Sequence, residues 1–161
     1  MRRLVATLTV AAAPLAGCGD DGDDGDDGRL PDLTLEALDE GDEPLALRGV
    51  EGPAVINLWA TWCAPCRAEL PAFQQVSEER ADVRFIGVDI AEQRTKARQF
   101  LDELGVTFEQ YLDDGGVLSA ELGVASLPVT IVVDADGRIS THHLGPMDVA
   151  DLEEALADAG A

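Results

Sequence analysis

Ala54-Val55-Ile56-Asn57-Leu58-Trp59 is a nearly unbroken apolar run, and after three intervening residues comes Cys63-Ala64-Pro65-Cys66. A run of that kind suits a strand covered on both faces, which requires helices packed over a sheet. From Cys63 to Arg80 the apolar residues Leu70, Phe73 and Val76 recur at helical spacing. The two cysteines therefore open a helix at the carboxyl end of a central strand. Residues three apart on a helical turn lie about 5–6 Å apart, inside the Cα range that a disulfide spans. The helix N-terminus carries partial positive charge and unpaired N–H groups, which favour a thiolate at Cys63. Cys63 is expected to face solvent and Cys66, one turn further in, to be shielded, so that one sulfur attacks and the other resolves. Pro65 fits the first turn, where a missing N–H costs nothing.

The rest of the chain surrounds that unit with strands and helices. Leu33–Leu38 alternates, and Pro44–Leu47 follows an acidic, glycine-containing turn, the pattern of an edge hairpin. Val83–Ile90 and Val129–Val133 read as buried strands, and Thr95–Leu104 as an amphipathic helix stopped by Gly105. Phe108–Leu112 is a short segment and Val117–Leu122 a short helix. Asp134-Ala135-Asp136-Gly137 turns into a strand over Arg138–Leu144, and Val149–Ala159 is a closing helix. The order implies an α/β domain with a mixed central sheet flanked by helices.

Other chemistries fit the cysteines poorly. A zinc site needs two more ligands, with the adjacent His142 and His143 as the remaining donors. Covalent haem attachment needs a histidine after the second cysteine, where Arg67 stands. A purely structural bridge closing so short a loop would stabilise little. The chain carries 32 acids against 11 bases, a formal charge of −21. That balance argues against a phosphate-backbone or anionic-lipid face, so no nucleic-acid partner is expected.

Trp59-Ala60-Thr61-Trp62-Cys63-Ala64-Pro65-Cys66-Arg67-Ala68-Glu69-Leu70-Pro71 resembles the active-site segment of the TlpA/ResA group of thioredoxin-like proteins. These are membrane-tethered, extracytoplasmic thiol–disulfide oxidoreductases, many serving cytochrome c maturation. The resemblance covers nearly all of 30–161. It implies a thioredoxin-like fold with an N-terminal β-hairpin and a central insertion between Val83–Ile90 and Val129–Val133. It also implies a cis peptide bond at Pro128, within Ser126-Leu127-Pro128-Val129-Thr130, with the Leu127 backbone free to pair with a substrate peptide. Trp62 would be a docking surface, with simple packing as the plain alternative. Glu69 matches a glutamate near the cysteines; partly buried, it would raise thiol pKa values and move protons, the plain alternative being a solvated helix residue. The chain departs from thioredoxin itself at Asn57, where thioredoxin has a buried aspartate. Asparagine takes no proton, so any base role passes to Glu69 or water. Ala64 lacks the charge that some relatives place between the cysteines.

The amino-terminal segment reads as an address. Met1-Arg2-Arg3 is basic, and Leu4–Leu15 is mostly apolar but too short to cross about 30 Å of hydrocarbon. Leu15-Ala16-Gly17-Cys18 resembles a bacterial lipoprotein signal, which implies removal of 1–17 and lipidation of Cys18. Six aspartates among glycines in 19–28 repel one another, so 18–29 is expected to be a tether and 30–161 the folded domain. A calcium loop there lacks its closing glutamate.

The sequence thus points to a lipid-anchored, monomeric exchanger on the outer face of a bacterial or archaeal cell membrane, without cofactor or metal. It would take electrons from a membrane thiol donor and reduce cysteine pairs of client proteins, for cytochrome c maturation or copper-site assembly. Cys63 would attack, Cys66 resolve, Glu69 handle protons, and Trp62, Leu127 and Pro128 position the client. The alternatives are a copper-binding chaperone and a non-catalytic docking lipoprotein.

Overall fold

The computed structural model describes residues 28–90 and 93–161. The expected leader, the lipidation site Cys18 and most of the tether lie outside the described residues. Seven strands and four α-helices follow in the order β1 (Thr34–Ala37), β2 (Leu45–Ala46), β3 (Ala54–Trp59), α1 (Ala64–Glu79), β4 (Arg84–Asp89), α2 (Arg94–Leu104), β5 (Glu109–Leu112), α3 (Val117–Glu121), β6 (Val129–Val133), β7 (Ile139–Leu144) and α4 (Val149–Asp158). They form one sheet in the order β2-β1-β5-β4-β3-β6-β7.

The centre of the sheet is built by two crossovers in the same direction. β3, α1 and β4 form one parallel unit, and β4, α2 and β5 the next. Successive crossovers of one hand leave their helices on one face, and α4 joins them by packing on α1. β6 runs antiparallel to β3, and β7 to β6. Every residue of β3 and of β6 is buried, as their apolar composition requires. Alternation then sorts their side chains. Ala54, Ile56 and Leu58 enter a cluster with Leu47, Val50 and Leu118. Val55 packs with Phe73, Val76, Leu152 and Leu156, and Trp59 with both cysteines and Phe100. Cys66, Leu70, Phe73 and Val76 are thus the inward stripe of α1.

The hairpin β1–β2 forms at the edge. It reaches the sheet through β5, which inserts parallel to β4 on one side and antiparallel to β1 on the other. The short Phe108–Leu112 segment is therefore an interior strand. Gly28 and Arg29, at the end of the expected tether, already pair with the start of β7: Ile139 N–H donates to the Gly28 carbonyl at 2.7 Å, and Arg29 bridges Arg138. α2 stops at Gly105, whose φ of 68° favours a residue without a Cβ.

One backbone approach next to the site is unusually tight. Gly87, on β4, lies under the carboxamide of Gln110, and a Cβ there would fall 2.0 Å from Gln110 Oε1. That same oxygen accepts from Trp59 Nε1 at 3.0 Å. Gly87→Ala is expected to displace Gln110, leave the buried Trp59 N–H unpaired and lower stability by about 1–3 kcal/mol, measurable by urea denaturation.

Candidate active site

Cys63 is the N-cap of α1, with φ −84° and ψ 101°, and its Sγ accepts from Cys66 N–H at 3.2 Å. The Cys63–Cys66 disulfide is formed, with Cα atoms 5.3 Å apart. The sulfurs meet because β3 ends at Trp59 and the chain turns over Ala60, whose carbonyl accepts from Cys63 N–H. Ala64 and Pro65 then supply the first helical turn. Cys66 has no exposed surface and Cys63 only 4%. The expectation that Cys63 faces solvent is corrected to that extent. Cys63 is bonded to Cys66 and packed in one cluster with Leu38, Trp59 and Leu70, against which Leu127 also leans, so the residue keeps only a sliver of surface.

Three further expected residues are Trp62, Leu127 and Pro128. Leu127 packs against the cysteine cluster, and the Leu127–Pro128 peptide bond is cis. Trp62 is 66% exposed immediately before Cys63, so it does not serve the core. On the other side Arg67 is held over the Phe100 ring at 4.6 Å and pairs with Glu103 at 3.3 Å. Phe100 in turn stacks on Trp59 with 5.3 Å between centroids. This column ties the residue after Cys66 to α2 and to the end of β3.

Glu69, one turn after Cys66, is 3% exposed. Asn57 Nδ2 donates to its Oε1 at 2.8 Å, and Met147 N–H donates to its Oε2 at 3.1 Å. Burial pushes its pKa up to about 7, against the opposing pull of those two hydrogen bonds. The same Asn57 amide also donates to Thr130 Oγ1 at 3.3 Å. Asn57 from β3 and the Met147 backbone ahead of α4 thus meet on one carboxylate, with Thr130 of β6 behind Asn57. Sequence reasoning found Glu69 and Asn57 separately and missed Thr130 and Met147. The available signals were Thr130 breaking the apolar run of β6 and Met147 preceding the helix cap Asp148. Also missed was Asp113, a buried carboxylate that accepts from Leu118 N, Ser119 N and Ser119 Oγ at 2.6–2.9 Å and so holds the start of α3. His142 is exposed on β7 and His143 half-buried beside it. Among the described residues no group of three or more His, Cys, Asp or Glu side chains comes together as a metal site.

The family model for Redoxin matches residues 25–156. A thioredoxin-like protein of Bacillus subtilis, YneN, is 35% identical over 133 residues, 78% of this chain and 75% of its own. The thiol:disulfide interchange protein DsbE of Vibrio cholerae is 35% identical over 130 residues, covering 80% and 70%. Among solved structures, a secreted Mycobacterium tuberculosis disulfide oxidoreductase homologous to DsbE superposes with a TM-score of 0.72 at 27% identity, over 81% of this chain and 98% of that one. Fold, bridged cysteine pair and relatives define a thioredoxin-like thiol–disulfide oxidoreductase. The chain belongs to the Redoxin family.

Glu69 makes stability depend on pH. Its folded pKa of about 7 exceeds the ordinary 4.5, so between those values the native state binds more protons than the unfolded one. Stability from the protonated group is then full below about pH 4.5 and lost as pH rises towards 7. Glu69→Gln, which stays neutral, is expected to gain on the wild type over that window by about 3 kcal/mol. Denaturant titrations at both ends of the window measure it.

Proposed function

We propose that this protein is a lipid-anchored, extracytoplasmic reductant of cysteine pairs in client proteins, serving cytochrome c maturation or the assembly of copper sites. The observation that carries the exchange chemistry is the Cys63–Cys66 bridge at the N-terminus of α1, with Cys63 the residue of the pair that retains surface. The reduced pair is the active donor. Cys63, as thiolate at the positive end of the helix, attacks one sulfur of a client disulfide. A mixed disulfide forms, and the released client thiolate takes a proton. Cys66 then passes its proton to the Glu69 carboxylate and attacks Cys63 Sγ. The second client sulfur is expelled as a thiolate and takes the proton held by Glu69, so the client leaves with both thiols and the Cys63–Cys66 bond is restored. The electron pair has moved from the protein to the client, and a membrane thiol donor returns it.

Burial of Glu69 supports the proton step, because a carboxyl with a pKa near 7 takes and gives a proton near neutrality. The exposed Trp62 next to Cys63 in the chain, and Leu127 packed on the cysteine cluster ahead of the cis Pro128, support a docking role for these residues. The secreted relative in Mycobacterium tuberculosis supports an extracytoplasmic setting. The Leu-Ala-Gly-Cys sequence ending at Cys18 supports the lipid anchor. No helix among the described residues is long and apolar enough to cross a membrane. The reducing direction rests on the resemblance to the TlpA/ResA group.

In an insulin-reduction assay Cys63→Ser is expected to fall to the uncatalysed rate; undiminished turnover would end the proposal. Cys66→Ser should instead accumulate mixed disulfides with clients, which a non-reducing gel separates and mass spectrometry identifies. Cys18→Ser should move the protein from the membrane fraction to the soluble one.

A further inference from the structure

Asn57 sits in the middle of β3 with no exposed surface. Its carboxamide lies between groups from two other elements. Nδ2 donates to Glu69 Oε1 at 2.8 Å and to Thr130 Oγ1 at 3.3 Å. Oδ1 is equally buried and accepts no hydrogen bond from any described residue. A buried carbonyl oxygen left without a donor is rare enough to need a reason.

The carboxamide has two ends of nearly equal shape, one donating and one accepting. An ionised Glu69 needs the donor end against Oε1, which is the arrangement observed. A protonated Glu69 needs an acceptor there instead. A half-turn of the Asn57 side chain about its last torsion brings Oδ1 to that place. Oδ1 then accepts from the Glu69 hydroxyl and from the Thr130 hydroxyl, whose hydrogen is free to rotate. Met147 N–H stays on Oε2 throughout, so the proton belongs on Oε1. The oxygen that is idle in one state is the one used in the other.

We propose that Asn57 is a positioning residue that accommodates Glu69 in both protonation states by presenting opposite ends of its carboxamide. Glu69 thereby gains and loses a proton without its carboxyl group leaving the buried network. The inference rests on Glu69 being the group that takes the Cys66 proton, and it adds what allows that change of charge in a site closed to solvent. Aspartate at this position would offer no donor once ionised, and an aliphatic side chain would offer neither end. The other ionisable groups around the network are the Cys63–Cys66 pair on the same helix, Asp89 opposite Trp59 on β4, His143 opposite Thr130 on β7, and Asp148 at the head of α4.

The test is an NMR titration of the full chain across neutral pH, with the cysteines oxidised so that they do not titrate. It follows the Asn57 side-chain amide and the Glu69 carboxyl carbon. Both are expected to move with one midpoint, and in Glu69→Gln the Asn57 signals should stay flat, which separates Glu69 from Asp89, His143 and Asp148. In Asn57→Leu the ionised carboxylate loses its donor, so the Glu69 midpoint should rise by about one pH unit or more. Asn57 signals that ignore the Glu69 titration overturn the proposal, whether or not the leucine variant folds. So does a Glu69 midpoint unmoved in that variant. Neither result depends on thiol exchange, so failure here is distinct from failure of Cys63→Ser in the insulin assay.

Discussion

The packing of α1 against β3 is the contact on which the rest of this structure depends. β3 is covered on both faces, so the chain must leave its carboxyl end and return at once as a helix over the sheet. That return places a helix N-terminus, with its partial positive charge, at the end of the central strand. Cys63 caps this terminus, and Cys66 lies one turn further in, on the stripe that faces the sheet. The reactive pair is therefore held by the most buried part of the molecule. Trp59, Phe100 and Arg67 add a stacked column from the strand end to the helix start, which fixes the loop between them.

The same contact explains why the site holds a carboxylate away from water. Glu69 follows Cys66 by three residues, so it shares the inward face of α1 and meets β3 at Asn57. Removal from water favours its neutral form, and two hydrogen bonds favour the charged one; burial wins by enough to bring its pKa close to neutrality. The cysteine pair and the buried carboxylate thus come from one helix laid on one strand. The relatives in Bacillus subtilis and Vibrio cholerae share the chain over most of their length, and the solved secreted relative shares the fold.

Much of this was legible beforehand, for reasons that differ by residue. The limits of β3 followed from the ends of the apolar run Ala54–Trp59, because a strand buried on both faces has no polar alternation to blur its ends. The stop of α2 at Gly105 followed from glycine's access to the left-handed region. Less legible was β5, since Phe108–Leu112 has neither the length nor the alternation of an interior strand and becomes one only when β1 closes over it. Asp113 and Thr130 read as ordinary polar residues. Their burial depends on partners contributed by distant parts of the chain or by a local turn that composition does not reveal. Cys63 was expected at the surface; it is instead bridged to Cys66 and sits in a buried cluster with residues from β3, α1 and α2, parts of the chain that its own neighbours do not reveal.

What the sequence alone determined is local: strand and helix periods, a cysteine pair three residues apart, and a glutamate one turn beyond, all set by backbone geometry within a few residues. The tertiary structure alone decided the environment of those groups. Whether Glu69 is wet or dry, which end of Asn57 it meets and how much of Cys63 is left open depend on contacts with β6, with the Met147 backbone ahead of α4 and within the cysteine cluster. Desolvation is a property of everything packed around a group, so it cannot be read from the neighbours that precede and follow it in the chain.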